Sequence, residues 1–406
     1  MSTTFIYKAK DRSGQLLTGS ILADSEAAVA SYIREKGYFV TQIKKKSSSN
    51  SIEGLLENLH RVSTKDLAVV CRQISTMVDA GLSLVACLNI LIEQSTNPRL
   101  KTALQDVYKK VKEGEMLSRA LADHANIFPA IMINMVEAGE VGGVLDDVLG
   151  RLATHFEKEH KLNEKVKSAM TYPAVVLSMA FIVVIFILTF VLPTFMQMFI
   201  GMKMELPLPT KILMGLSEFL REYALLLFIA FLLSSIGLAI TVKKPKARKT
   251  VDELILKMPI FGVLARKIAI ARFSRTLSTL VRGGVPILSA LEVVKKTMGN
   301  LSMVDALGKA QVNVKEGIGL AQTLGSSKVF TPMVIQMVAI GEESGSLDKM
   351  LEKIADFYES EVDDMVGRLS SILEPVIVGI LGVVIGFIVI AVVIPLFDVI
   401  TNVGNM

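Results

Sequence analysis

Three stretches of this 406-residue chain carry no charged side chain over a length that crosses a bilayer: residues 174–199, 224–242 and 376–397. About 20 apolar residues in a helix span a hydrocarbon core. Within lipid each backbone N–H and C=O must find its partner inside the protein, so runs like these are confined to the helical state. Three of them exceed what a soluble core absorbs. The composition fits. Charged residues are 20% of the chain and hydrophobic ones 51%, against about 25% charged in an ordinary soluble domain. Disorder, collagen and DNA-binding tails are excluded on that ground. A net charge of +5 is too small and too dispersed to indicate a nucleic-acid partner.

The flanking charges orient the runs. Lys243, Lys244, Lys246, Arg248 and Lys249 follow the second run, and Lys158, Lys161, Lys165 and Lys167 precede the first. The connection between them balances Lys203, Lys211 and Arg221 against Glu205, Glu218 and Glu222. Cationic loops stay in the cytoplasm. Both basic flanks are therefore expected inside, with residues 200–223 an external loop and 398–406 an external tail.

The chain also contains itself twice. Residues 66–195 match 269–397 at an offset of about 203, which falls to 202 after one deletion. Met77–Leu88 (MVDAGLSLVACL) lies over Leu280–Leu291 (LVRGGVPILSAL), pairing Gly81 with Gly284, and Pro286 follows in the second copy. Phe128–Val136 lies over Phe330–Val338. Gly139-Glu140-Val141-Gly142-Gly143-Val144-Leu145 lies over Gly341-Glu342-Glu343-Ser344-Gly345-Ser346-Leu347, and Pro193 over Pro395. Turn signals cut residues 64–170 into about six helices, and the repeat extends that reading to 243–375. In the glycine–glutamate segments a helix must stop, reverse and restart within about four residues. Glycine supplies the left-handed backbone positions this needs, and the acid is placed to cap the next helix. Contact with a partner is the alternative role.

The expected fold is an all-α membrane protein. It has two homologous six-helix cytoplasmic bundle domains, three transmembrane helices and a small N-terminal α+β module. That module, of ββαβ order, occupies residues 1–45, and 46–63 is a Ser- and Lys-rich linker. In the third run Gly379, Gly382 and Gly386 share one helix face, where small residues let helices approach closely. Pro193 and Pro395 fall late in their runs.

Catalytic signatures are missing. There is no phosphate loop, dinucleotide fingerprint, nucleophile elbow or zinc-protease motif. His155, Glu159 and His160 could offer two ligands from one face, but read best as a solvated helix surface. Cys71 and Cys87 read as inert core thiols. No cofactor and no metal is expected. The runs hold no charge, which argues against an ion or proton path.

Taken together, two copies of a Phe–Pro turn (F-P in the first, F-x-P in the second) and G-E-x-x-G-x-L unit, each followed by an apolar run with a late proline, resemble the F-type inner-membrane platform proteins of type II secretion and type IV pilus assembly. Phe5, Tyr7, Ala9, Asp11, Gly14, Gly19 and Ala23 resemble the N-terminal module of the longer members. The first copy departs from the usual motif in reading GEVGGVL. The resemblance implies a non-enzymatic scaffold in the inner membrane. Its implied partners are a cytoplasmic secretion or pilus ATPase, pilin or pseudopilin subunits, other inner-membrane assembly components, and further copies of itself. Two other classes stay open: a transporter or channel subunit built from repeats, and an enzyme with its pocket between the two helical domains.

Overall fold

The computed structural model describes residues 3–10, 16–23, 26–35, 37–45, 61–195, 207–242, 245–327 and 329–403. They are mostly helical. Contacts divide the chain into two units. One comprises Met1–Val62 and Ser95–Thr102, and the other Ser63–Gln94 and Ala103–Met406.

In the N-terminal part of the first unit, strands β1 (Thr3–Lys10), β2 (Leu16–Ala23) and β3 (Phe39–Lys45) form an antiparallel sheet of order β2-β1-β3. Helix α1 (Glu26–Glu35) connects β2 to β3. Ala9 and Val29 are fully buried. A shift in register between Lys8 and Ala9 bends the β1–β3 ladder. Most of the linker expected over 46–63 lies outside the described residues.

The repeat is visible helix by helix. The first copy holds α2 (Thr64–Asp79), α3 (Leu84–Gln94), α4 (Pro98–Lys112), α5 (Leu117–Ala122), α6 (Ala130–Gly142) and α7 (Leu145–Phe186). Next come α8 (Leu208–Glu222), α9 (Ala224–Val242) and α10 (Pro245–Lys257). The second copy holds α11 (Phe261–Arg282), α12 (Ile287–Thr297), α13 (Leu301–Lys315), α14 (Leu320–Gly325), α15 (Pro332–Glu343) and α16 (Leu347–Val403). From α3 onward, every helix of the first copy starts at the position that the 203 or 202 offset assigns in the second. The exception is α11. It ends in register with α2 but begins six residues earlier than the offset predicts.

Local chemistry explains the boundaries. Ser63 opens α2 with a capping box: its Oγ accepts from the Asp66 N–H, and its own N–H donates to the Asp66 carboxylate. Asn300 caps α13 by accepting from the Ser302 and Met303 N–H groups. Within each copy the first helix lies along the last, α2 on α7 and α11 on α16. Phe128, Phe156 and Phe273 are among the largest fully buried side chains, each contributing roughly 1.5–3 kcal/mol by burial.

The last helix of each copy does not stop where the bundle stops. From Leu145 the chain stays helical to Phe195, passing through a π-helical turn at Ile187–Val191, and α16 runs 57 residues. Both are long and apolar enough to cross a membrane. A third apolar helix, the 19-residue α9, lies between them in sequence.

Two expectations need correction. Most of the connection read as an external loop, 208–222, is the helix α8, because Ile212, Leu213, Met214, Leu216 and Leu220 recur at helical spacing behind the Pro207–Pro209 start. The tail expected from Asp398 is helical to Val403, since nothing after Phe397 breaks the α16 backbone ladder before Gly404.

Candidate functional site

The glycine–glutamate turns are built alike in both copies. Glu140 accepts from the N–H groups of Leu117 (2.5 Å) and Ser118 (2.9 Å), and Glu342 from those of Leu320 (2.6 Å) and Ala321 (2.8 Å). Each carboxylate thus closes the exposed N-terminus of a six-residue helix, α5 or α14. These termini have no side-chain cap of their own. The acid was expected to cap the helix after the turn. It reaches instead to a helix more than twenty residues upstream, because α6 and α15 run past those open N–H groups.

Two glycine requirements differ in kind. Gly143 (φ 69°) and Gly345 (φ 66°) hold the left-handed conformation that reverses the chain. Gly139 and Gly341 are needed for proximity. A Cβ on Gly139 would lie 3.1 Å from Val148, and one on Gly341 would lie 2.9 Å from the Leu347 Cα. Leu145 and Leu347 are the first residues of the two long helices and are half-buried. Gly81 and Gly284 also have positive φ, and Pro286 precedes α12.

The two copies meet along α7, α11 and α16. An apolar cluster joins Leu162, Leu264, Val362, Val366 and Leu369. Around it lie ion pairs from Lys158 to Asp356 (2.7 Å), from Lys267 to Glu361 (2.6 Å), and from Lys165 to Asp363. Arg275 donates from Nε and Nη2 to Glu359 at 2.8 Å each, and also to Asp356. Burial opposes its charge, but the two carboxylates outweigh that and hold the guanidinium above its usual range. Its repeat counterpart Arg72 makes the same fork to Glu157 (2.9 and 2.8 Å), half exposed to solvent. One inherited pair thus serves as a buried joint in one copy and as a surface pair in the other.

His155 belongs to this seam, which corrects its reading as solvated surface. It is 5% exposed, 3.4 Å from Thr279 Oγ1 and 3.8 Å from Glu159. Burial, then the nearby Arg275 charge, push its pKa down to about 4. Burial also raises that of Glu159, against a smaller opposing effect of Arg272. His160 lines a separate surface recess. Among the described residues no group of three or more His, Cys, Asp or Glu is placed to hold a metal ion. Cys71 and Cys87 are fully buried, and burial pushes the Cys71 thiol up to about 12, too weak an acid to act as a nucleophile. A cleft of about 530 Å³ opens beside the seam. Arg72, Arg151, Arg275 and Arg282 line it together with Asp79, Asp146, Asp147 and Glu352, a balance that gives an ionic ligand of either sign little net pull.

Helix α8 ties the two apolar segments together through their prolines. A proline has no N–H, so the carbonyl it would have served loses its partner. In α16 the carbonyl four residues before Pro395 is that of Ala391, and Thr210 Oγ1 donates to it at 2.6 Å. In the first copy the π turn lengthens the reach to five residues. Leu192 N–H bonds Ile187, which leaves Leu188 to Pro193, and Ser217 Oγ donates to the Leu188 carbonyl. Thr210 and Ser217 are both buried and seven residues, about two turns, apart on α8. Leu188, Leu192, Leu213, Ile388 and Ala391 pack around them.

The glycine stripe has no such role within the chain. A Cβ at Gly379, Gly382 or Gly386 meets nothing within 4 Å. Within the chain the stripe therefore makes no close contact with another helix. The packed face of that run is instead Val384, Ile388, Ala391 and Val392.

The seam arginines and the α8 hydroxyls were missed in the sequence. Arg275 could have been found as the repeat partner of Arg72, though nothing local tells which copy is buried. Thr210 and Ser217 carried no signal before the prolines' orphaned carbonyls were located.

Known proteins bear the same organisation. The family described as type II secretion system protein F matches residues 70–193 and again 273–395, and its N-terminal domain matches residues 1–44. The type IV pilus assembly protein PilC of Thermus thermophilus is 41% identical over 97% of this chain and 97% of its own length. That of Myxococcus xanthus is 39% identical over 97% of this chain and 94% of its own. The type II secretion system protein F of Vibrio cholerae is 34% identical over 97% and 98%.

Proposed function

The chain belongs to the type II secretion system protein F family, and we propose that it is the inner-membrane platform of a type IV pilus or type II secretion machine. In this reading it couples a cytoplasmic secretion ATPase to the assembly of pilin or pseudopilin subunits. The observation that carries it is the unbroken path of α7 and α16. Each leaves a helical bundle and continues as the same helix into an apolar segment. A push on either bundle is therefore passed on through continuous helix, with Pro173 and Pro375 at the two junctions, instead of being lost in a linker.

The finer reading places α9 as a third span that returns the chain to the cytoplasm, so that both bundles and the N-terminal ββαβ module share one side. The five cations at 243–249 support this orientation. The platform is not an enzyme. Energy comes from the ATPase, and copies of the chain assemble with other inner-membrane components.

Disrupting the gene should abolish surface fibres or secreted product, and the full-length chain should restore them. Full-length protein extracted from membranes should retain the ATPase and hydrolyse no nucleotide after that partner is removed. Normal fibres and normal secretion without the chain would refute the reading.

A further inference from the structure

Among the described residues, the second copy opens differently from the first. Helix α10 precedes it, and α11 starts six residues early. Where the two helices meet, the backbone turns sharply. Phe261 N–H bonds the Pro259 carbonyl at 2.8 Å, closing a γ-turn with Ile260 at its apex at φ 69° and ψ −64°. This is the rare, strained form of that turn, and left-handed φ is an outlier for a β-branched residue. Gly262 permits the corner, since a Cβ there would sit 2.3 Å from the Leu256 carbonyl oxygen. The corner is thus held rigidly. Yet it presents Leu254, Ile255, Met258, Ile260, Phe261 and Val263, all exposed, to the outside. A patch this apolar on an otherwise polar bundle marks a contact surface.

Contacts with α16 give its height. Leu264 packs with Val366 and Leu369 of α16, and Leu373 packs against the same cluster. Lys267 pairs with Glu361 below it. Phe261 lies three residues beyond Leu264, about 4.5 Å along the helix. The antiparallel register set by these contacts brings the corner level with about residues 367–372 of α16, short of Glu374, the last charged residue before the third apolar run. From the other side, α9 ends at Val242 and α10 begins at Pro245, just after an apolar helix within a run of five cations.

We infer that the α10–α11 corner is an interfacial anchor. It lies in the headgroup layer of the cytoplasmic leaflet, its apolar side chains entering the acyl boundary while Lys243, Lys244 and Lys246 bind anionic lipid headgroups; Arg248 and Lys249 are engaged within the chain, by the Gly299 carbonyl and by Asp305. Amphipathic segments bind membranes by this combination of apolar area and basic charge. The anchor would fix the second bundle against the bilayer. The inference rests on the three-span reading above.

The test uses the full chain with Cys71→Ala and Cys87→Ala and one new cysteine bearing an environment-sensitive fluorophore, in nanodiscs containing phosphatidylcholine and phosphatidylglycerol. Labels replacing Met258 and Val263 should be quenched by lipids brominated near the headgroup end of the acyl chains. They should be quenched more strongly when the bromine is on phosphatidylglycerol. Lys244→Gln with Lys246→Gln should lower that preference, by up to about fivefold per cation. A label replacing Leu233, in the middle of α9, separates the two readings. If Leu233 is quenched by centrally brominated lipid but Met258 and Val263 are not, the anchor is wrong and the span stands. If Leu233 is not quenched either, the span fails and takes the anchor with it. Shielding of Met258 from aqueous iodide without quenching by bromine would assign the patch to a protein contact and overturn the proposal.

Discussion

A single carboxylate per copy carries more of the bundle than its position on a turn suggests. Glu342 satisfies two backbone N–H groups of α14 at once. Glu342→Ala should lower stability by about 1–2 kcal/mol, in line with loss of a helix cap, whereas Glu343→Ala, one residue on and exposed, should leave the thermal midpoint unchanged. Equal effects would remove the cap from the account. The glycines divide in the same way. Gly341→Ala drives a Cβ into the Leu347 backbone and should cost roughly 1–3 kcal/mol. Gly382→Ala meets nothing within the chain and should leave the unfolding transition of purified, monodisperse protein where it is. A large loss at Gly382 would mean that the stripe packs internally. His155 gives a pH signature. Buried, it stays neutral down to about pH 4, while in the unfolded chain it is protonated below about 6.5. The unfolded state therefore binds more protons between those values, so stability falls as pH drops through that window, by on the order of 3 kcal/mol. Glu159, raised by burial, works in the opposite direction. His155→Phe, the residue that stands at 357 in the second copy, should flatten the His155 part of the slope in pH-dependent unfolding. An unchanged slope would place the histidine elsewhere. At this scale the sequence was legible where backbone geometry leaves one choice, as at Gly143 and Gly345. It was not legible where a side chain's role depends on what folds against it, as at His155 and Arg275.

At the scale of elements, the helix boundaries were largely readable because caps, glycines and the repeat all mark them. Helix α8 was not, since its apolar spacing is short and its purpose lies in two other helices. The account makes a coupled prediction there. Thr210→Val should cost about 1 kcal/mol in lipid, within the range for hydrogen bonds between membrane helices, because the Ala391 carbonyl loses its donor. Pro395→Ala restores an N–H four residues along, so Thr210→Val in that background should cost less. A double-mutant cycle of unfolding free energies in bicelles measures the coupling. Strict additivity would show that the hydroxyl and the proline act independently. The same logic explains the π turn at Ile187–Val191: the added residue changes which carbonyl Pro193 orphans, and Ser217 meets the carbonyl that results.

For the whole molecule, duplication supplied two like bundles, and among the described residues they differ where the copies meet and in the early start of the second copy's first helix. The fork that Arg72 makes on the surface Arg275 makes buried beside the seam. Lys158, Lys165 and Leu162 join the first copy to Asp356, Asp363 and the apolar cluster of the second, so the bundles form a joined unit instead of two independent beads. The sequence showed the duplication and the apolar runs directly, because both are periodic or contiguous. It could not show the seam, which depends on faces far apart in the chain. The central claim is that both bundles hang on the same, cytoplasmic side of the membrane. Single cysteines in the Cys71→Ala, Cys87→Ala background test it, one replacing Glu218 on α8 and one replacing Lys309 on α13, each probed in intact cells with a membrane-impermeant maleimide. Labelling at 218 alone, with 309 reacting only after the cells are opened, is the predicted result, and labelling of 309 in intact cells would contradict it.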